Sequence, residues 1–555
     1  MQDASETRES CNAKVFVVGL DGATLDLIMP WVMQGKLPTL KRLMDAGASG
    51  ELTSTILPIS APAWVSFVTG KNPGKHNVFD FMERGEGSYD QVPVNSRSRD
   101  GKAVWNLLND AGKKVGLINI PVTYPSENVD AFMITGFPTP DTKGGFVHPR
   151  TLLLELEERF GNFKLHPDEI YTPGKEDVFI ESVYEVTEKT MGATLYLMEK
   201  YEWDFFMTVF GGTDILSHWF WKYMDPDHPE YDAKEAEKYG NVIEGIYQKI
   251  DENIGEILER LDEDTTVIIM SDHGFGPVHK SLYLNNWLKD IGLLKLKKNR
   301  STRIKYWLFR HGLVLNNIFK LSALVGFAKH GKKSVATSQR SVDMLKKLFI
   351  SFLDIDWSLT KAYSTGNFGQ IFINVKGREP RGIVEPGREY GELREFIIGE
   401  LYKLKDPESG EKIIDRVYKR EEIYSGGYLE QAPDLLLLSR DMKYITTRYF
   451  EFASNMLVAP PTRMTSGNHK MNGTLIMKGR NIKKGAEIQG ANIIDIVPTI
   501  LGIMGVPVPA DMDGEVLTEI FEESFLAKTP IRYRGKDEKG RIRNEIRDLK
   551  ALGRI

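Results

Sequence analysis

The 555-residue sequence has a single cysteine, no long apolar run and no strong net charge. With only Cys11, the chain can form neither an intramolecular disulfide nor a cysteine-based metal site, so a metal ion would need histidine and carboxylate ligands. No stretch of about 18 residues is apolar and uncharged, which argues against a transmembrane helix. The first residues, MQDASETRESCNAK, lack the apolar segment of a cleaved signal peptide. We therefore expect a cytoplasmic protein.

Composition and charge narrow the class of protein. Hydrophobic residues make up 41% and charged residues 27% of the chain, which is typical of a globular protein. The formal net charge of −5 gives no indication of a nucleic-acid partner. At roughly 150 residues per domain, the length fits either several domains or one large α/β enzyme with insertions.

Short apolar segments alternate with helical patterns along the chain. Segments such as KVFVVGL (14–20) and TTVIIM (265–270) are apolar and β-branched, as strands buried on both faces are. This alternation predicts an α/β fold with a mostly parallel central sheet between helices. Strands are predicted over 14–20, 52–57, 114–120, 131–135, 205–210, 265–270, 370–375, 434–438 and 473–478. Helices are predicted over 61–69, 178–201, 239–261 and 494–504, and from about Pro38.

A basic segment interrupts this pattern after about residue 287. No acidic residue occurs from Ile291 to Val342, whereas lysine and arginine recur. One apolar face at helical spacing is formed by Val314, Ile318, Leu321, Val325 and Ala328. Three interpretations stay open: an ordinary helical cap, a peripheral membrane contact through 295–333, and a lid that steers a polyanionic substrate.

The change of pattern suggests a division of the chain into four parts. A first part of the catalytic α/β core is predicted over 14–287, followed by the basic, mainly helical insertion, or cap, over 288–357. The second part of the core is predicted over 358–516, and a charged tail over 517–555.

The side chains that could bind a metal follow predicted strands or lie in loops. In open α/β sheets, bound molecules lie at the carboxyl ends of the strands. Asp214 and His218 are four residues apart, so one helical turn brings them to the same side. The candidates are Asp21, Asp214, His218, Asp272, His273 and His469. Six such oxygen and nitrogen ligands suit two divalent ions, with zinc favoured where histidine contributes and manganese as the alternative.

Ser60 lies in PISAPAW, where a strand-to-helix turn is predicted. Backbone N–H groups at the start of a helix favour an anion. A serine hydroxyl is a weak nucleophile that direct metal coordination can activate. Two metals can hold the attacking and leaving oxygens of an in-line phosphoryl displacement, so this chemistry is the one these residues suit.

The order of these motifs resembles that of the alkaline phosphatase superfamily, and most closely its type I phosphodiesterase/nucleotide pyrophosphatase branch. The resemblance rests on Asp21, on Ser60 before APAWVSFVTG, and on the three later motifs DxxxH (214–218), SDHG (271–274) and GxH (467–469). It extends from about Lys14 to Val516, with the basic insertion outside it. It implies a three-layer αβα sandwich with an inserted helical cap.

The same resemblance implies a metal-dependent phosphoesterase with two metal ions and a phosphoserine intermediate on Ser60. Its substrate would be a phosphate-ester small molecule or a lipid head group, and a phosphodiester or pyrophosphate is favoured over a monoester. The implied ligands are Asp214, His218 and His469 for one metal, and Asp21, Asp272 and His273 for the other, with Ser60 bridging them.

Two departures from the family pattern bear on the substrate. Phe81 stands where relatives often carry an asparagine, which weakens the expectation of a nucleotide. The segment from Ser60 to Trp64 lacks the arginine of the sulfatase motif, which argues against a sulfatase. His279 is a candidate substrate contact because it follows the Asp272–His273 motif closely.

Two alternatives stay open at this point. One is a phosphomonoesterase or phosphotransferase, including a mutase, of the same superfamily. The other is a non-catalytic, metal-containing protein that binds a membrane surface. The sequence leaves the oligomeric state open.

Overall fold

The structure is a computed structural model that describes residues 13–85, 87–140, 144–315, 317, 347–366, 368–446, 452–461 and 465–535. Much of the basic insertion, including Ile318, Leu321, Val325 and Ala328 of the predicted apolar face, lies outside the described residues, as does the end of the tail. Among the described helices, none is long and apolar enough to cross a membrane.

A nine-stranded sheet forms the centre of the molecule. In spatial order its strands are Ala486–Asn492, Ala48–Thr53, Asn472–Lys478, Thr266–Met270, Val15–Leu20, Phe205–Phe210, Val115–Ile120, Ala131–Thr135 and Val147–His148. The middle strand, Val15–Leu20, is parallel to both of its neighbours. Asn472–Lys478 and Val147–His148 run antiparallel to the strands beside them, so the sheet is mostly parallel, as predicted.

Helices cover both faces of this sheet, which explains why its middle strand is apolar throughout. Phe16, Val18 and Leu20 pack against one layer of helices, and Val15 and Val17 against the other. The first layer contains Glu176–Lys200, Gly212–Met224 and Val242–Leu258. The second contains Ser60–Thr69, Val104–Asp110 and Ile496–Ile503. The predicted three-layer αβα architecture is confirmed.

Other helices connect the strands or extend the layers. They span Leu25–Met33, Pro38–Ala46, Pro73–His76, Leu152–Phe160, Ala233–Tyr239, Leu284–Asp290, Arg300–Arg310, Arg388–Leu401, Arg420–Ile423 and Glu523–Lys528. Short strands pair as Gly274–Pro277 with Gly467–Lys470, Met82–Arg84 with Gln91–Pro93, and Val508–Pro509 with Tyr533–Arg534. Lys280–Leu282 lies between Tyr444–Ile445 and Val458–Ala459.

A second, antiparallel sheet forms a separate core. Its strands, in spatial order, are Ala362–Thr365, Gln370–Ile373, Leu435–Ser439 and Ile414–Lys419. Leu288 and Phe309, from the predicted insertion, share one apolar cluster with Tyr363, Ile397 and Leu437 from beyond it. The four-part division of the chain stays a prediction.

The strand predicted over 52–57 is misplaced: the structure has it at Ala48–Thr53. Gly50 explains the shift, because a Cβ there would lie 2.1 Å from the carbonyl oxygen of Ile488 on the neighbouring strand. Glycine is needed for this close approach, and it breaks the apolar pattern by which strands are recognised. The edge strand Ala486–Asn492 was not predicted, because it is largely polar and exposed.

Candidate metal centre and active site

Five segments of the chain meet at one edge of the central sheet. Asp21 follows the strand Val15–Leu20, and Asp272 and His273 follow Thr266–Met270. Asp214 and His218 lie in the helix that begins after Phe205–Phe210. Because these three strands are adjacent and parallel, their carboxyl ends bring the side chains together. Ser60 begins a helix, and His469 precedes the antiparallel strand Asn472–Lys478, so both reach the same edge.

The first cluster consists of Asp214, His218 and His469. Oδ1 of Asp214 lies 3.4 Å from Nε2 of His218 and 3.2 Å from Nε2 of His469. The two Nε2 atoms are 3.1 Å apart. All three side chains therefore point one ligand atom at a common point.

The second cluster consists of Asp21, Asp272 and His273. Nε2 of His273 lies 3.3 Å from Oδ2 of Asp272 and 3.5 Å from Oδ1 of Asp21. The hydroxyl of Ser60 joins this cluster, with its Oγ 3.0 Å from Nε2 of His273. The rings of His273 and His469 stack with centroids 3.6 Å apart, so the two clusters adjoin.

The Nδ1 hydrogen bonds of the three histidines orient their Nε2 atoms toward the two clusters. Nδ1 of His218 lies 2.9 Å from the carbonyl oxygen of Gly467, and Nδ1 of His469 lies 2.8 Å from that of Pro58. Nδ1 of His273 is 3.0 Å from the carbonyl oxygen of Gly274. A carbonyl only accepts, so Nδ1 carries the proton and Nε2 presents a lone pair. Backbone partners of this kind also orient metal-bound histidines.

In the same two clusters, one oxygen of each carboxylate lacks a hydrogen-bond partner. Oδ1 of Asp21, Oδ1 of Asp214 and Oδ2 of Asp272 are buried and make no hydrogen bond. Each of these oxygens faces the Nε2 lone pair of a histidine in its own cluster. Buried acceptors that face other acceptors are costly unless a cation lies between them. The residues therefore fit two divalent ions, one in each cluster.

Burial and the repulsion between carboxylates shift the pKa values of the groups in the two clusters. Burial raises the pKa of Asp21, and the carboxylates of Asp272 and Asp214 raise it further. Burial, then the charge of Asp214, also raises the pKa of Asp272. Burial lowers the pKa of His273 and of His469, which keeps both imidazoles neutral. A bound cation would favour the ionised carboxylates and the neutral imidazoles together.

For Asp214, burial acts to raise the pKa, but in the metal-free protein the positive charge that His218 carries when protonated, followed by the contact with His469, outweighs it. These neighbours hold the pKa of this carboxyl well below its ordinary value. Asp214 therefore offers an ionised carboxylate to the first cluster.

The residues that hydrogen-bond to the candidate ligands or pack against them were not predicted from the sequence. The indole Nε1 of Trp64 donates to Oδ2 of Asp21, and the backbone N–H of Gly22 donates to Oδ1 of Asp272. Trp64 lies one helical turn after Ser60, so its spacing in PISAPAW was a signal that could have identified it. Phe368 packs its ring 5.3 Å from that of His469, and no local pattern marks this contact.

A cavity of about 560 Å³ opens beside the two clusters. Ser60, Asp21, Asp214, His218 and His469 all contribute to its wall. Phe81 lines the same cavity, in keeping with its predicted position near the nucleophile.

His279 is not among the described residues that line this cavity. Its backbone N–H donates to the carbonyl oxygen of Lys443, and its ring lies edge to face against His228 at 5.7 Å. The structure thus brings Ser60 and all six candidate ligands to one place, whereas the role of His279 as a substrate contact stays a prediction.

This combination of a three-layer α/β fold and paired acidic and histidine clusters identifies a class of enzyme. The model of the type I phosphodiesterase/nucleotide pyrophosphatase family matches residues 15–470. The chain belongs to this family and is a hydrolase that acts on phosphoric ester bonds.

Solved structures that resemble this chain are distant in sequence. The chain is 13% identical to phosphonoacetate hydrolase from Sinorhizobium meliloti 1021, solved with phosphonoformate, covering 90% of this chain and 96% of that one with a TM-score of 0.52. It is also 13% identical to human ectonucleotide pyrophosphatase/phosphodiesterase 5, covering 93% and 99% of the two chains with a TM-score of 0.47. No curated protein matches the sequence.

Proposed function

We propose that this chain is a two-metal phosphodiesterase that uses Ser60 as its nucleophile. The observation that carries the proposal is the convergence of Ser60 with two clusters whose buried carboxylate oxygens lack hydrogen-bond partners. Asp214, His218 and His469 would hold one ion, and Asp21, Asp272 and His273 the other. We propose zinc in the histidine-richer first cluster, and zinc or manganese in the second.

The two ions, when bound, would neutralise charge on the phosphate oxygens and favour ionisation of the Ser60 hydroxyl. Oγ of Ser60 then forms a bond to phosphorus while the bond from phosphorus to the leaving alcohol breaks on the opposite side. The serine proton leaves to solvent, and the departing alkoxide takes up a proton from solvent.

The first turn of the helix Ser60–Thr69 supports this step. The backbone N–H groups of Ser60 and Ala61 lie at the helix start, where they can donate to phosphate oxygens. Ser60 is left as a phosphoserine that carries the remaining ester group. Attack by water then breaks the bond from phosphorus to Oγ and regenerates the serine.

Replacing Ser60 by alanine tests this role. We expect Ser60→Ala to lose at least about a thousandfold in kcat/KM, because the variant has no group to attack phosphorus, while it binds as much metal as the parent. Hydrolysis of bis(p-nitrophenyl) phosphate and metal content by elemental analysis are the two measurements. Ser66→Ala, in the same helix, is the matched control. Activity retained in Ser60→Ala would overturn the nucleophile assignment.

The same assay compares diesters with monoesters. We expect faster Ser60-dependent cleavage of bis(p-nitrophenyl) phosphate than of p-nitrophenyl phosphate. The opposite preference would favour a phosphomonoesterase or a phosphotransferase acting through the same serine.

We also propose that the basic insertion contacts a membrane surface. The helix Arg300–Arg310 carries Arg303 beside two exposed apolar side chains, Ile304 at 61% and Trp307 at 59% exposure. Exposed apolar groups next to cations are typical of helices that lie on anionic lipid surfaces.

Flotation with liposomes tests this contact. We expect the parent to float with anionic liposomes and the double variant Ile304→Ser, Trp307→Ser to float at least about threefold less. Leu154→Ser, which also alters an exposed apolar residue on a helix, is the control. Equal flotation of the parent and the double variant would overturn the proposed contact.

A further inference from the structure

The cavity beside Ser60 has a wall that is mainly apolar away from the two metal-binding clusters. Its lining includes Phe81, Phe137, Phe179, Trp219 and Phe368. Its volume of about 560 Å³ is in the usual range for pockets that enclose a small-molecule ligand. A phosphate ester whose phosphorus lies at Ser60 would therefore extend its organic group along hydrocarbon side chains.

One helix provides a continuous side of this wall. Val183, Val186, Thr187 and Thr190 recur at helical spacing in Glu176–Lys200, and all four line the cavity. The hydroxyl of Thr187 donates to the carbonyl oxygen of Val183 within the helix. That bond turns the polar atom of Thr187 back to the backbone, so this side offers mainly methyl groups.

Two apolar side chains of the cavity wall are exposed to solvent. Phe137 and Ile170 both line the cavity, and each is 49% exposed. Phe137 packs edge to face on Phe81 and on His166, at 5.3 Å in each case. Apolar side chains in these positions can pack against a hydrocarbon group as it enters.

Away from the two metal-binding clusters, the wall carries no lysine or arginine among the described residues. Burial lowers the pKa of His166 to about 4, so its imidazole is uncharged at neutral pH. Glu169 is the acidic side chain of the described wall outside the clusters, and its charge disfavours a second phosphate group there.

We propose that the substrate is a lipid-like phosphodiester whose hydrocarbon group occupies this apolar cavity. The proposal rests on the phosphodiesterase function proposed above. It names the class of organic group that the cavity selects, and it places Val186, near the middle of the apolar helix side, as a determinant of specificity.

A series of substrates with one leaving group tests the proposal. The series consists of methyl, butyl and octyl p-nitrophenyl phosphodiesters, kept below their micelle-forming concentrations, with p-nitrophenyl thymidine 5′-phosphate for comparison. We expect kcat/KM to rise roughly three- to fourfold for each added methylene that becomes buried. A flat or falling series, or a preference for the thymidine ester over the octyl ester, would overturn the proposal.

Binding measurements separate this proposal from the catalytic one. Octylphosphonate and ethylphosphonate carry a stable carbon–phosphorus bond, so calorimetry with the zinc-loaded parent measures binding to the cavity without turnover. We expect octylphosphonate to bind at least about a hundredfold more tightly. Tighter octyl binding without diester cleavage would reject the phosphodiesterase and keep the apolar pocket, whereas equal binding would reject the pocket.

A pair of variants tests whether the hydrocarbon group binds in the cavity beside Val186. Val186→Phe fills the cavity, and we expect it to reduce the octyl-to-methyl ratio of kcat/KM at least about tenfold. Val178→Phe changes the same residue type at an exposed position of the same helix, and we expect it to leave the ratio unchanged. A ratio that Val186→Phe leaves intact, in protein that melts like the parent, would show that the hydrocarbon group binds elsewhere.

Discussion

At the scale of single residues, Asp272 shows that a side chain suited to bind a metal ion can destabilise the metal-free fold. Its carboxylate is fully buried; Oδ1 accepts from the N–H of Gly22, and Oδ2 has no hydrogen-bond partner. The charges of Asp21 and Asp214 lie close by. Without a cation, the folded protein must either hold like charges together away from water or protonate a carboxylate, and both are costly.

We expect Asp272→Asn to have opposite effects with and without metal. The amide removes a buried carboxyl group that is costly to ionise and can donate to Nε2 of His273, so the metal-free variant should melt at or above the temperature of the metal-free parent. The parent should gain about 3 kcal/mol per ion at a hundredfold excess over Kd, whereas the variant should gain much less. Thermal melts with chelator and with zinc check this. Equal metal-induced shifts in parent and variant would contradict the ligand assignment.

The convergence of Ser60 and the six candidate ligands could be predicted from the sequence because short motifs mark them at or near strand ends and helix starts, whereas their roles stay predictions. Their partners could not be predicted. The carbonyl groups of Pro58 and Gly467 that orient His469 and His218 belong to residues whose side chains carry no chemical signal. Backbone atoms act through position, and position arises from the folded sheet.

At the scale of elements, a two-stranded antiparallel sheet aligns both clusters. Gly274–Pro277 pairs with Gly467–Lys470, and Phe275 lies opposite His469. The pairing thus fixes His273, at the start of one strand, relative to His469 on the other. This contact joins segments almost two hundred residues apart, which no local pattern in the sequence could predict.

Two glycines of the strand Gly274–Pro277 provide a matched pair of variants. A Cβ at Gly274 would lie 2.0 Å from the backbone oxygen of Asn472, whereas a Cβ at Gly276 would meet the flexible side chain of Lys470. We expect Gly274→Ala to cost about 1–3 kcal/mol of stability and to weaken metal binding, because the backbone must shift.

Gly276→Ala is expected to change stability by less than about 0.5 kcal/mol. Denaturant unfolding and zinc titration compare the two variants. Equal effects of the two substitutions would show that this strand pair tolerates displacement of its backbone.

Burial explains which strands of the central sheet could be predicted from the sequence and which could not. Apolar strands inside the sheet, such as Phe205–Phe210 and Ala131–Thr135, have the predicted bounds because burial on both faces requires apolar residues throughout. Ala486–Asn492 forms one edge, and Ala48–Thr53 beside it is only partly buried and uses glycine for close pairing. Their sequences therefore carry less of the apolar signal.

At the scale of the whole molecule, buried histidines make stability depend on pH. His76 is fully buried; Nδ1 accepts from the N–H of Val78, and Nε2 lies 2.8 Å from Oγ of Ser66. Burial lowers its pKa from 6.5 to about 3. The folded protein thus binds fewer protons than the unfolded chain below pH 6.5, so the contribution of His76 to stability is complete above that pH and is lost as the pH falls.

We expect the free energy of unfolding to fall between about pH 6 and pH 4, with His76 contributing about 1.4 kcal/mol per pH unit. In His76→Gln this contribution is absent, so the slope should decrease by that amount. Urea unfolding at a series of pH values measures the slope. His311→Gln, at an exposed position, is the control, and an unchanged slope in His76→Gln would contradict the assignment.

The position of the strand Asn472–Lys478 in the sheet determines when the central sheet and the first cluster can be completed during synthesis. The strand lies inside the sheet, between Ala48–Thr53 and Thr266–Met270, and His469 just precedes it. On the ribosome, the ligands of the second cluster have all been made by residue 273, whereas the first cluster waits roughly two hundred residues longer for His469. At about 5–20 residues per second, this interval is on the order of ten to forty seconds. A nascent chain arrested before residue 469 would thus hold an open gap in its sheet and one incomplete metal site.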